Sequence, residues 1–99
     1  MEISVEKEND GKKILFYISG RIDTSTAPEL EAKVAQYPDA EEMEMDFARV
    51  EFISSAGLRV LLATHKNFIL KKGLTISNVG ESVMQVFEVT SFKDVLTIV

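Results

Sequence analysis

Apolar and polar residues follow two different periods along this chain, and the changes of period mark its elements. Ile3 to Glu6 and Lys13 to Ser19 read as strands on either side of "ENDG". The Asp10-Gly11 pair readily takes the positive φ of a tight turn, so a β-hairpin is expected to open the domain. Thr26, Pro28 and Glu29 then stand as N-cap, first-turn proline and the acid of a capping box. The helix they start carries Ala27, Leu30 and Val34 on one stripe and ends before Pro38. "EMEMDF" alternates acids with Met43, Met45 and Phe47, the period of a strand with one buried face, and leads towards Ser54 and Ser55. From Leu58, apolar residues recur at helical spacing through Leu61, Leu62, Phe68 and Ile69. Lys66, Lys71 and Lys72 gather where cations complement the helix dipole, and Gly73 stops the helix. "LTISNV" is a strand, "GESVMQVFEV" a third helix and "DVLTIV" a final strand or strand-like tail. Strands and helices thus alternate after the hairpin. The pattern predicts an α/β fold, a mixed β-sheet opened by a β-hairpin with helices packed on it and some parallel pairing.

Composition narrows the functions available to such a fold. With 99 residues, 45% hydrophobic and 27% charged, residues 1–99 are expected to form one domain with its own core. The absence of cysteine removes disulfides, thiolate metal sites and thiol nucleophiles. A net charge of −5 argues against nucleic acid or an anionic membrane as partner, both of which need a basic surface. A protein partner or a small ligand is expected instead. "MEISVEKEND" lacks the basic and apolar regions of a signal peptide, and no apolar run approaches the ~20 residues that span a bilayer, so a cytoplasmic location is expected.

Enzymatic constellations are missing. His65 is the only histidine and falls within the apolar stripe of its helix, where a core-edge ring with a hydrogen-bonded nitrogen is expected. Ten residues of helix at ~1.5 Å each separate it from Ser55 by about 15 Å, too far for a nucleophile and its base. There is no G-x-S-x-G elbow, P-loop or G-x-G-x-x-G. Asp39, Glu41, Glu42, Glu44 and Asp46 lack the glycine-centred spacing of a calcium loop and are expected to form a solvated acidic face. No catalytic residue, metal or cofactor is therefore assigned.

The stretch "FISSAGLRVLL" asks for a separate account. One serine before a helix is explained as a cap. A second, followed by Ala56 and Gly57, leaves the first turn nearly bare of side chains, open to an added phosphate or to a partner's backbone. With Leu58, Leu61 and Leu62 inward, Arg59, Val60 and Ala63 are expected to face out as a ridge beside Ser55.

"MDFARVEFISSAGLRVLLATHK", with "ISGRIDTSTAPEL" upstream and "VFEVTSF" downstream, resembles the STAS domain family, specifically the stand-alone bacterial anti-sigma factor antagonists, over nearly the whole chain. The resemblance implies a STAS-type single domain. In that family the phosphorylated serine lies two before the motif glycine. Here those positions are Ser55 and Gly57, with Leu58 the first buried helical residue and Asp46-Phe47 similar to the strand-end pair. Asp23-Thr24 resembles the loop that lies beside the phosphorylation site. Two departures stand out: Ser54 occupies a position that is Asp in many members, which makes it the second candidate for modification, and Ser91 stands where a glycine often follows the third helix.

The resemblance implies partner switching. Unphosphorylated protein would bind an anti-sigma factor that is itself a serine kinase, releasing a sigma factor; phosphorylation of Ser55 would end the binding, and a serine phosphatase would reset it. The implied partner surface comprises Asp23, Thr24, Ser54, Ser55, Ala56, Gly57, Arg59 and Val60. The alternative is a STAS interaction module of another assembly, a transporter accessory or signalling scaffold, working without phosphorylation.

Overall fold

The computed structural model describes residues 1–99. Its strands are β1 (Glu2–Glu8), β2 (Lys13–Ile22), β3 (Glu42–Ile53), β4 (Gly73–Ser77) and β5 (Thr97–Ile98), and its helices α1 (Ala27–Ala35), α2 (Ser55–Phe68) and α3 (Glu81–Val89). The sheet runs β1-β2-β3-β4-β5, antiparallel between β1 and β2 and parallel from β2 onward. The expected hairpin is present. Its turn places Asn9, Asp10 and Gly11 at φ 53, 58 and 84, so Asn9 shares the left-handed conformation foreseen for Asp10-Gly11.

Strand register explains which face is buried. Ile14 pairs with Met43 and Met43 with Leu74; Phe16 pairs with Met45 and Met45 with Ile76. These six side chains are buried in the core on the face against which the helices pack. The intervening row of Leu15, Glu44 and Thr75 is half-buried on the other face, which carries no helix. Glu42 and Glu44 stand there 3.6 and 3.9 Å from the Lys13 amine, and Ser77 Oγ donates to Glu44 at 2.9 Å. Partial burial, then the Glu6, Asp46 and Glu44 carboxylates, hold the Tyr17 phenol on this acidic face above its usual pKa.

Strand β3 is longer than the alternation of "EMEMDF" predicts, at 12 residues. Two irregularities in its pairing with β2 let it advance one extra residue each, between the Tyr17–Asp46 and Ser19–Arg49 pairs and again before Arg21–Phe52. Asp46 accepts from the Ala48 amide at 2.8 Å within the first. The bulges turn Phe47, Val50 and Ile53 inward at a spacing of three, which conceals the strand from a period-two reading.

The ends of the helices differ in detail from expectation. The capping box at α1 does not form, because the Thr26 hydroxyl is used elsewhere, as described below. Helix α2 ends at Phe68, and Gly73, at φ 99, opens β4. The Lys71 amine ties the intervening turn to the Ala40 carbonyl at 3.0 Å. His65 is half-buried at the edge of the stripe, but its ring bonds to no protein group, contrary to expectation; at that edge the ring is open enough for solvent to reach it. Ser91 adopts φ 63 and ψ 13, the left-handed conformation a glycine would take more easily. No helix is long and apolar enough to cross a membrane.

Candidate functional site

The two regions singled out by sequence meet at the carboxyl ends of β2 and β3, the end of a parallel sheet where ligand sites usually gather. Ile22 and Ile53 are register partners, and the Ser54 amide donates to the Ile22 carbonyl at 2.8 Å. The start of α2 is therefore pinned to the corner from which the 23–26 loop leaves β2.

That loop is closed by its own side chains. One Asp23 carboxylate oxygen accepts from Ser25 N at 3.0 Å, Thr26 N at 3.1 Å and Ser25 Oγ at 2.8 Å. The Thr26 hydroxyl accepts from Asp23 N and donates to the Arg21 carbonyl, both at 2.8 Å. Asp23, rather than Thr26, thus caps the turn that enters α1, with Ala27 N donating to the Asp23 carbonyl at 2.8 Å. The Ser25 hydroxyl and then the Thr26 amide hold the Asp23 carboxyl below the usual carboxylate range. Thr24 is exposed at the loop's tip. The Arg21 guanidinium stacks over Phe52 at 4.2 Å and lies 3.9 Å from the other Asp23 oxygen.

The two serines have separate positions. Ser54 is the N-cap of α2, with extended backbone, half-buried, its Oγ accepting from Gly57 N at 3.4 Å. Ser55 is the first helical residue, exposed, and its hydroxyl bonds to nothing in the protein. No acid occupies the first turn of α2.

The bare turn is bare for a reason other than outward clearance. Gly57 is buried and faces the sheet: a Cβ there would lie 2.7 Å from Ile53 Cγ1, 2.8 Å from Ile22 Cγ2 and 3.2 Å from the Ile22 carbonyl. Glycine lets the helix begin close against the strand ends. Gly57 is therefore not part of an exposed partner surface as such; it sets where that surface lies.

A second correction concerns Val60. It is 7% exposed, beneath the α1–α2 contact, rather than on an outward ridge. The apolar stripe of α2 is wider than Leu58, Leu61 and Leu62 suggest, because α1 covers a flank that no pattern within α2 reveals. Leu62 is only half-buried in its place. Arg59 and Ala63 are exposed as expected. Between the helices runs a groove of about 390 Å³, lined by Thr24, Ala27, Pro28 and Glu31 on one side and Ala56, Arg59, Val60 and Ala63 on the other. Sequence reasoning missed Pro28 and Glu31 as members of this surface; only the pairing of α1 with α2 brings them to it.

Comparison with known proteins agrees with the resemblance. The STAS domain family matches residues 3–99. The anti-sigma-B factor antagonist of Listeria monocytogenes is 28% identical, over 99% of this chain and 90% of its own length. Among solved structures, an anti-sigma factor antagonist from Mycobacterium paratuberculosis superposes with a TM-score of 0.86 at 24% identity, over 98% of this chain and 83% of that one. The Bacillus cell fate determinant SpoIIAA in its phosphorylated form superposes at 0.73 with 15% identity, over 99% and 91%.

Proposed function

The chain belongs to the STAS domain family, and on that premise we propose that it is an anti-sigma factor antagonist whose hold on its partner is set by phosphorylation of Ser55. The observation that carries the reading is the division between the serines: Ser54 is occupied as a cap, whereas Ser55 presents an exposed, unbonded hydroxyl beside the α1–α2 groove. The partner is an anti-sigma factor with serine kinase activity. It docks on Thr24, Ser55, Ala56 and Arg59, around the corner that Asp23 and Ser54 shape, and its sigma factor is released. In this reading the protein works in the cytoplasm, and a serine phosphatase restores the hydroxyl.

The chemistry of the switch is local. A phosphoserine brings about −1.5 to −2 charges. At the first position of a free helix it is tolerated, because the unpaired amides and positive dipole end face it. Under a docked partner the same group would have to be desolvated, which opposes binding without any change of fold. In the unmodified protein Gly57 and the Ser54–Ile22 bond fix the turn, and in this reading they hold it after phosphorylation as well.

Incubation with a cognate anti-sigma serine kinase and ATP, followed by peptide mass spectrometry, is the test. Phosphate on Ser55 is expected; phosphate confined to Ser54, or none, would overturn the reading.

A further inference from the structure

Arg59 lies four residues beyond Ser55, and both are exposed on α2. Helix residues at this spacing have Cβ atoms about 5–6 Å apart. Helical side chains lean towards the N-terminus, so an arginine at this position can reach back over the first turn towards the serine. The Arg59 guanidinium is in none of the protein's ion pairs. Arg21, by contrast, is committed to the Phe52 ring and to Asp23. Across the groove, Glu31 on α1 faces Arg59 without reaching ion-pair distance.

We infer that a phosphate on Ser55 captures Arg59, so that phosphorylation withdraws the cation lining the docking groove as well as adding negative charge. This rests on the reading of Ser55 as the modified residue. A guanidinium offers paired N–H donors that match two phosphate oxygens, and an unpaired arginine is the side chain best suited to turn onto a new phosphate. Glu31 competes for Arg59 with a single charge from the far wall, whereas the phosphate carries up to two on the same helix face. The partner then meets a groove whose only remaining charge is Glu31. The switch therefore has two components, a blocked serine and a removed arginine, and the second belongs to Arg59 alone.

The test is a phosphorus NMR titration of the full chain with phosphoserine inserted at position 55 during translation, in the Arg59 protein and in Arg59→Gln. An unpaired phosphoserine has its second pKa near about 6. With Arg59 present it is expected to titrate about half a pH unit lower than in Arg59→Gln, and Arg59→Lys should recover part of the difference. Superimposable curves for Arg59 and Arg59→Gln would overturn the inference. Because the phosphate is installed without a kinase, its outcome is independent of the mass-spectrometric test, which alone decides whether Ser55 is the modified residue.

Discussion

Replacing Gly57 by alanine separates two explanations of the bare first turn of α2. If the glycine merely left space outside, an added methyl would improve helix propensity and stabilise the protein by about 1 kcal/mol. The structure predicts the opposite sign. The new Cβ would sit 2.7 Å from Ile53 Cγ1 and 2.8 Å from Ile22 Cγ2, atoms attached directly to the Cβ of β-branched strand residues, and 3.2 Å from the Ile22 carbonyl. None of these is the free end of a flexible chain, so the helix start or both strand ends must move. Overpacking of this kind costs about 1–3 kcal/mol. After the gain in propensity, a net loss of up to about 2 kcal/mol remains, or up to roughly 10 °C in melting temperature for a domain of this size. Thermal and urea melts of Gly57→Ala measure it. Combining Gly57→Ala with Ile53→Ala should give less than the sum of the separate losses, because the two changes share one contact. A melting temperature above that of the unaltered protein would refute the packing argument.

Other substitutions test other parts of the account. Ser54→Ala should lower stability by about 0.5–1 kcal/mol through loss of the cap, while Ser55→Ala should stay within about 0.5 kcal/mol of the starting protein; denaturant melts compare them. Val60→Asp should lose about 3 kcal/mol or more, because a carboxylate would replace a buried methyl pair, and a melting temperature close to the original would contradict its burial. The lowered carboxyl pKa of Asp23 means that its contribution to stability is complete above the ordinary carboxylate range and is lost as pH falls through its folded-state value. Melts across the acid range should therefore show the difference between the Asp23 and Asp23→Asn proteins closing as pH falls. Ser91→Gly should stabilise by about 0.5–1 kcal/mol by relieving the left-handed serine at φ 63, as melts will show.

The sequence was most readable where one element decides its own pattern. The turn at Asp10-Gly11 and the alternation of Met43, Met45 and Phe47 required nothing beyond local chemistry, and the hairpin and strand stand where they indicate. It was least readable where two elements share an atom. Thr26 has every mark of a cap, yet its hydroxyl closes the loop through Asp23 and Arg21, a bond that exists only after β2 and α1 are placed. Val60 looks outward until α1 covers it, and the bulges of β3 change its period from two to three. Ser55 and Arg59 were legible as exposed residues of the first turns, but Glu31 and Pro28 joined them only through the packing of two helices.

The central claim is that phosphate on Ser55 switches partner binding, and calorimetry with the anti-sigma factor tests it most directly. The unphosphorylated protein and Ser55→Ala should bind alike, while phosphoserine at 55 should weaken binding at least about 30-fold, equivalent to about 2 kcal/mol for a charge forced into an interface. Equal affinity of the phosphorylated and unphosphorylated proteins would contradict it.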